Sequence, residues 1–172
     1  MEEKRFPIGK FEFPHSYTEV ELKEWISNIE QFPQRLEELI IGLSKEEFEL
    51  TYRDKGWTIR QLIHHCADSH MNSLIRFKLA LTEDVPTIKP YFENKWAELP
   101  DCDIDNLEDS LFIIKGIHKR LSKLLKSLDK SKLNREFFHP ENKIKIKLWQ
   151  NIALYSWHSN HHLAHVKLAV KS

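Results

Sequence analysis

Long stretches of this sequence carry apolar residues at every third or fourth position, the spacing of one face of an α-helix. Few helix breakers interrupt them, because the 172 residues include only four glycines and seven prolines. Four helices are predicted, over residues 22–43, 58–81, 107–128 and 148–170. Thr58 is the predicted N-cap of the second helix, and Pro33 is expected to kink the first. The predicted fold class is all-α.

The connection between the second and third helices, residues 82–106, is longer than the few residues that join antiparallel neighbours. A connection of this length lets two helices run parallel, so we predict a four-helix bundle with a long crossover between helices 2 and 3. Alternating lysine and isoleucine over residues 143–147 predict a short extended segment. We expect a single domain over residues 1–172, with residues 1–17 as an N-terminal arm whose aromatic side chains pack on the bundle.

The charge balance and the cysteine count narrow the possible partners and compartment. Lys plus Arg and Asp plus Glu both number 26, so we expect neither nucleic acid nor an acidic membrane surface as a partner. There are two cysteines, Cys66 and Cys102, and the first ten residues lack the apolar stretch of a signal peptide. No apolar run approaches the roughly 18 residues needed to cross a bilayer. These features predict a soluble protein of the reducing cytoplasm.

The fourth predicted helix carries four histidines within eight residues. Imidazoles four residues apart project from one helix face and can bind one metal ion. His158 and His162 share the side of Tyr155 and Val166, and they are the favoured metal ligands. The second pair of this kind, formed by the remaining two, is rotated toward a more solvated flank. We expect His161 and His165 to be surface groups or to support the ligands from behind, and His165 could also reach the site from one turn further on.

A catalytic zinc-type site needs three protein ligands and an open coordination position. The second predicted helix carries a stripe of polar residues at spacings of four, three and four, namely His65, Ser69, Asn72 and Arg76. Such a stripe on an otherwise apolar helix indicates a functional cleft. Its first member, His65, is the predicted third ligand, with His64 as the alternative. Asp68 is a candidate to orient a ligand ring, and Cys66 is expected to be a small core residue.

Other residues receive smaller roles. A zinc peptidase of the zincin type places glutamate directly after its first ligand, and Ser159 occupies that position, so peptidase activity is disfavoured. A proton acceptor must then come from elsewhere, and the candidates are Asp68, Glu93 and Glu98. Trp149 and Trp157 are interpreted as packing residues. Three further histidines are expected to be surface or partly buried side chains without a role: His15, His118 and His139.

The motifs around these residues closely resemble the YfiT branch of the DinB-like superfamily. The resemblance rests on residues 65–73, residues 76–83, the pair Pro90-Tyr91 and residues 157–165, and it extends over nearly the whole chain. It implies a homodimeric cytoplasmic protein with a crossover four-helix bundle and metal-dependent hydrolase activity. It also implies one divalent ion per subunit, zinc or nickel, held by His65, His158 and His162. Some relatives resemble S-transferases that attach a low-molecular-weight thiol such as bacillithiol to electrophiles.

Both activities would use the same physical device. A metal ion with an open coordination position lowers the pKa of a bound water or thiol and provides a nucleophile at neutral pH. Asn72 and Arg76 are predicted to hold a carboxylate or carbonyl of a small-molecule substrate or thiol, so with Asp68 they are the candidate catalytic residues. The alternative is a non-catalytic metal-binding stress module. We prefer an enzyme, because a structural metal site would fill its fourth position with a protein ligand.

Overall fold

The computed structural model describes residues 2–171, and the predicted four-helix bundle is confirmed. The helices are α1 (Glu19–Ile40), α2 (Ile59–Thr82), α3 (Leu107–Lys126) and α4 (Leu148–Val170). α4 has the predicted bounds and α2 ends one residue later than predicted. α1 begins and ends three residues earlier than predicted, and α3 ends two residues earlier.

Two capping boxes set where α1 and α2 begin. The Thr18 hydroxyl accepts a hydrogen bond from the Glu21 amide at 3.2 Å, and the Glu21 carboxylate accepts one from the Thr18 amide at 2.7 Å. Thr58 and Gln61 repeat this exchange at the start of α2, so the predicted N-cap is confirmed. Each box satisfies amide groups that the first helical turn leaves without a partner.

Contacts between side chains define the direction of each helix. His64 contacts Ser110 and His70 contacts His118, so α2 and α3 run parallel, as the long crossover predicted. α4 is antiparallel to α2, since residues 65 and 69 of α2 meet residues 158 and 155 of α4. α1 packs against both α3 and α4. The helices therefore run up, down, down and up along the chain, with α1 and α2 on opposite corners of the bundle.

A layer of polar side chains divides the apolar interior into two clusters. One cluster surrounds Phe77 and Phe137 and the other surrounds Phe32 and Leu62, and each of these four side chains is almost fully buried. Histidines from α2, α3 and α4 occupy the level between the clusters. Burial of the two apolar clusters is the main stabilising contribution expected for a bundle of this size.

A two-stranded antiparallel hairpin precedes α4. Its strands are β1 (Glu136–His139) and β2 (Ile144–Lys147), with Glu136 opposite Lys147. β2 is the extended segment predicted from the lysine–isoleucine alternation, whereas β1 was not predicted. Phe138 of β1 exchanges backbone hydrogen bonds with Pro86 and Ile88, which attaches the crossover to the hairpin.

Short helical turns complete the chain. The N-terminal arm packs on α4 as predicted, with Phe11 5.7 Å from Trp157 and Tyr17 5.0 Å from Trp149 between ring centroids. Within residues 2–171, no helix combines the length and apolar character needed to cross a membrane. The single-turn α-helices are Glu2–Arg5, Glu93–Trp96 and Lys130–Leu133, and the 3-10 turns are Glu47–Glu49, Pro100–Cys102 and Ile104–Asn106.

Candidate metal centre

Three imidazole rings from two helices converge in the polar layer. His65 projects from α2, and His158 and His162 project from α4 one turn apart. The Nε2 atom of His158 lies 3.2 Å from Nε2 of His65 and 3.2 Å from Nε2 of His162. The candidate ligand atoms of the three rings all lie within 4.8 Å of one another. The structure therefore brings together the three histidines that the sequence analysis selected.

The three rings fit a divalent transition ion. Two nitrogens bound tetrahedrally to one such ion at about 2.1 Å lie about 3.4 Å apart, close to the separations seen here. Burial lowers the pKa of His65 to about 4 and lowers the pKa of His158 and His162 well below the ordinary value. All three rings are therefore neutral at pH 7, and neutral imidazole is the form that binds zinc or nickel.

A row of buried imidazoles supports His158 from behind. Its Nδ1 lies 2.9 Å from Nε2 of His70, and Nδ1 of His70 lies 2.5 Å from Nε2 of His118. His118 Nδ1 donates a hydrogen bond to the backbone carbonyl of Ile29 on α1. The expectation that His118 is a surface or partly buried side chain is therefore wrong, because α1 and α2 cover its face of α3 and leave it 1% exposed. Burial lowers its pKa to about 4.

A shorter row supports His162. Its Nδ1 lies 3.4 Å from Nδ1 of His165, whose Nε2 donates to the Arg5 carbonyl at 3.2 Å. His165 also stacks on Tyr52 at 3.8 Å, and His161 stacks on Trp157 at 4.3 Å. The predicted solvated flank is therefore wrong, because His161 and His165 are both buried, whereas the contact of His165 with His162 agrees with the alternative that it supports a ligand from behind. The N-terminal arm and the loop before α2 cover this flank, and neither is visible in the periodicity of α4.

A cleft of about 390 Å³ opens beside the three rings. Arg5, Arg53 and Lys55 line it with positive charge, and Glu93 contributes a carboxylate from the crossover. The Trp57 ring forms a wall 4.6 Å from the His65 ring. The Nε of Arg53 is buried and has no hydrogen-bond partner among residues 2–171, which leaves one N–H group of this guanidinium free for a ligand.

The loop residues of this cleft were missed by the sequence analysis, because no periodicity marks the segment between α1 and α2. Lys55 adopts φ +53°, a backbone region that non-glycine residues rarely adopt. A Cβ on the following Gly56 would lie 2.9 Å from Arg53 Cγ and 3.1 Å from the Arg53 carbonyl oxygen. The tight turn thus requires glycine at position 56, and it sets the backbone position from which Arg53 enters the cleft.

The structure does not bring the three candidate catalytic residues to this cleft. Arg76 follows His65 by eleven residues, about 16 Å along the helix axis, and it lies near His139 of the hairpin. Asn72 donates to the Asp68 carbonyl at 2.9 Å, within its own helix. The Asp68 carboxylate makes no hydrogen bond to an imidazole within residues 2–171, and burial together with the charge of Asp101 raises its pKa to about 6. His65 and Ser69 of the polar stripe both face α4, as the rotation about the helix axis predicted. The prediction for Arg76 did not take into account the distance along the axis.

The remaining sequence candidates have clear positions. His64 contacts Ser110 at 2.8 Å and the Asp103 carbonyl at 3.1 Å, so it faces away from His158. Cys66 is buried in the core, as predicted. Of the two loop glutamates, Glu93 lines the cleft, whereas Glu98 is exposed and lies outside it. Desolvation raises the pKa of Glu93.

Comparison with known proteins agrees with this architecture. A protein of Oceanobacillus iheyensis named "putative metal-dependent hydrolase" is 48% identical over 163 residues, 95% of this chain and 94% of that protein. A Bacillus cereus protein of the same name is 48% identical over 166 residues, 96% and 95% of the two chains. The solved structure of YfiT from Bacillus subtilis is described as a "probable metal-dependent hydrolase with an unusual four-helix bundle topology". It is 40% identical, has a TM-score of 0.92, and the match covers 96% of this chain and 94% of YfiT.

A more distant structure shares the fold alone. The mycothiol-dependent maleylpyruvate isomerase is 16% identical with a TM-score of 0.67, and the match covers 84% of this chain and 60% of the isomerase. The sequence profile of the DinB superfamily matches residues 28–166, which include α2, α3 and most of α1 and α4. With this profile match and relatives at 48% identity over nearly the full length, the chain belongs to the DinB superfamily.

Proposed function

We propose that this protein is a metal-dependent enzyme whose ion is held by His65, His158 and His162. The observation that carries the proposal is the convergence of three neutral imidazoles beside an open, charged cleft. Three protein ligands with free space next to them are the pattern of catalytic rather than structural zinc sites. When bound, a zinc or nickel ion supplies the positive charge that lowers the pKa of a water or thiol to near neutrality.

Thiol transfer to an electrophile is the reaction that we propose first. Arg5, Arg53 and Lys55 make the cleft attractive to an anionic cosubstrate, and the unpaired Nε–H of Arg53 suits a carboxylate. Arg53 therefore takes the role that the sequence analysis gave to Arg76. A low-molecular-weight thiol carrying carboxylates would satisfy these cations while its sulfur reaches the three imidazoles.

Hydrolysis is the second candidate, and Glu93 is the observation that favours it. Its carboxylate lines the cleft, and its raised pKa brings it closer to the pH at which a general base works best. α4 itself offers no base at the position used by zincins, because Ser159 stands there and its hydroxyl donates to the Tyr155 carbonyl at 2.8 Å. The names of the relatives at 48% identity also agree with hydrolysis.

The metal site is tested first by elemental analysis after dialysis. We expect about one zinc or nickel ion per chain, and its loss in the double variant His158→Ala, His162→Ala. His64→Ala is the matched control, because His64 is a buried imidazole on the same helix that faces away from the site. Full occupancy in the double variant, with loss in His64→Ala, would show that the wrong rings were chosen.

The reaction is then tested with the metal-loaded protein. A panel of thiols with one generic electrophile is compared with a panel of esters and amides, and products are identified by mass. A thiol adduct that disappears in His65→Ala supports the transferase reading. Hydrolysis without thiol, and no adduct with any electrophile, would replace it with the hydrolase reading. A metal-loaded protein inactive in both panels would favour the non-catalytic metal-binding module.

Homodimer formation stays a prediction. The outer faces of α2 and α3 expose apolar side chains, among them Met71, Ile75, Phe112 and Ile113, and we propose that these faces meet in the dimer. Sedimentation velocity tests this proposal, with Ile75→Glu and Phe112→Glu expected to shift the protein toward monomer. A wild-type protein that sediments as a monomer at micromolar concentration would exclude it.

A further inference from the structure

One hydrogen-bonded row of side chains passes through all four helices. It starts at His158 on α4, continues through His70 on α2 and His118 on α3, and ends at the Ile29 carbonyl on α1. The side chains of His70 and His118 are each 1% exposed, so water does not compete for these contacts. The row lies behind the candidate ligand and outside the cleft, and the proposed reaction leaves it without a role.

The Ile29 carbonyl is available because of Pro33. In an α-helix, each carbonyl accepts a hydrogen bond from the amide four residues later, and the residue four after Ile29 is proline, which has no N–H. α1 continues through Pro33, so the Ile29 carbonyl stays in the helix without its usual backbone donor. A buried carbonyl in this situation needs another donor, and His118 Nδ1 supplies it.

This carbonyl fixes the proton position on every ring in the row. A carbonyl can only accept, so His118 carries its proton on Nδ1 and offers the lone pair of Nε2. His70 must then donate from Nδ1, and its own Nε2 accepts from Nδ1 of His158. The consequence is that His158 has its proton on Nδ1 and its lone pair on Nε2, the atom that faces His65 and His162.

We propose that Pro33, His118 and His70 are positioning residues that hold His158 in the metal-binding tautomer, with the unpaired Ile29 carbonyl as the end of the row. The inference rests on the proposed metal site. It gives a function to a proline in the middle of a helix, a position where proline normally destabilises. A similar row leads from His162 through His165 to the Arg5 carbonyl. The rows behind both candidate ligands of α4 therefore end on a backbone acceptor.

The first experiment reads the tautomers directly and needs no metal. Two-bond proton–nitrogen correlation spectra of the metal-free protein, with ¹⁵N-labelled histidine, distinguish Nδ1–H from Nε2–H rings. We expect His70, His118 and His158 to be Nδ1–H in the wild type. In His118→Phe, His70 loses its acceptor, and His70 and His158 should shift to a mixture of tautomers. An Nε2–H form of His158 in the wild type would overturn the inference, whether or not the protein binds metal.

The second experiment measures metal affinity by competition with a chromophoric chelator. Loss of the direct partner of a metal ligand typically lowers affinity about 10- to 100-fold. His118→Phe leaves His70 beside His158 and removes only the group that fixes its proton, so we expect the lower end of this range, about tenfold. His64→Phe is the matched control, since it removes another buried imidazole of the bundle and should change affinity less than about twofold. Equal affinities in the two variants, with His158 still Nδ1–H, would refute the positioning role.

Pro33→Ala separates positioning from packing and stays informative if His118→Phe does not fold. The alanine amide restores the backbone hydrogen bond to Ile29 and competes with His118 for its carbonyl. We expect the melting temperature to rise while the metal affinity falls about threefold to tenfold, the effect of weakening one hydrogen bond. A purely structural proline would give an unchanged metal affinity, and that result would contradict the proposal. A wild-type protein that binds no metal would instead contradict the proposed function. The tautomer measurement would then test the inference by itself.

Discussion

Acidification should destabilise the metal-free protein by an amount that the buried imidazoles determine. Burial lowers the pKa of His65 and of His118 from about 6.5 to about 4. Between pH 6.5 and pH 4 the unfolded chain binds protons that the folded chain does not. The stability that each neutral buried ring contributes to the folded state is therefore fully present above about pH 6.5. It is lost as the pH falls toward 4. Lowering the pH from 7 to 5 costs about 2 kcal/mol for each such ring, or about 4 kcal/mol for these two, and the other buried histidines whose pKa is lowered add to this loss.

The loss is large against the 5–15 kcal/mol that typically stabilise a protein. Asp68 acts in the opposite direction, because its raised pKa favours the folded state at low pH and offsets part of the loss. Urea unfolding with chelator present at pH 7 and pH 5 measures the difference. His118→Phe should lose about 2 kcal/mol less than the wild type over this interval, since the contribution of this ring is gone. The same pH dependence in both proteins would refute the reasoning.

Three further predictions concern the metal, the cleft and the core. Removal of the metal by chelator should leave the helical circular dichroism intact, because the two apolar clusters do not depend on it; an unfolded spectrum would favour a structural ion. Arg53→Ala should raise KM for an anionic substrate more than it lowers kcat, while Arg76→Ala changes neither, and steady-state kinetics of the two variants test this pair. Phe77→Ala should cost about 3–5 kcal/mol in urea unfolding, since the ring is fully buried; a loss below 1 kcal/mol would contradict the assignment of the core.

Helix positions and the candidate ligand pair of α4 could be predicted from the sequence because both depend on local spacing. The apolar stripe of residues 148–170 matches the bounds of α4, and the spacing of four between His158 and His162 placed them on one face. Selection of His65 needed only the rotation of α2. The end of α1 was predicted too late, because Gly42 with φ +82° and the chain after Ile40 leave the helical path while the apolar stripe continues.

The hydrogen bonds behind the candidate ligands could not be predicted, because they depend on which helices pack against each other. His118 sits beside Ile117 and Leu121 on the apolar face of α3, and this position was the available signal that the ring is buried. Its partner, the Ile29 carbonyl, is 89 residues away in the sequence. Arg53 lies in a loop whose position is set by tertiary contacts, so its entry into the cleft left no pattern in the sequence.

The row of hydrogen bonds from α4 to α1 has a consequence for cooperativity. Opening of any one helix would remove a member of the row and lower the affinity for a bound ion. A bound ion should therefore stabilise only states in which all four helices are docked. Partial openings that release α1 or α3 alone would then become rarer once the ion is bound. Amide hydrogen exchange should therefore slow in α1 and α3 on addition of metal, although neither helix provides a ligand.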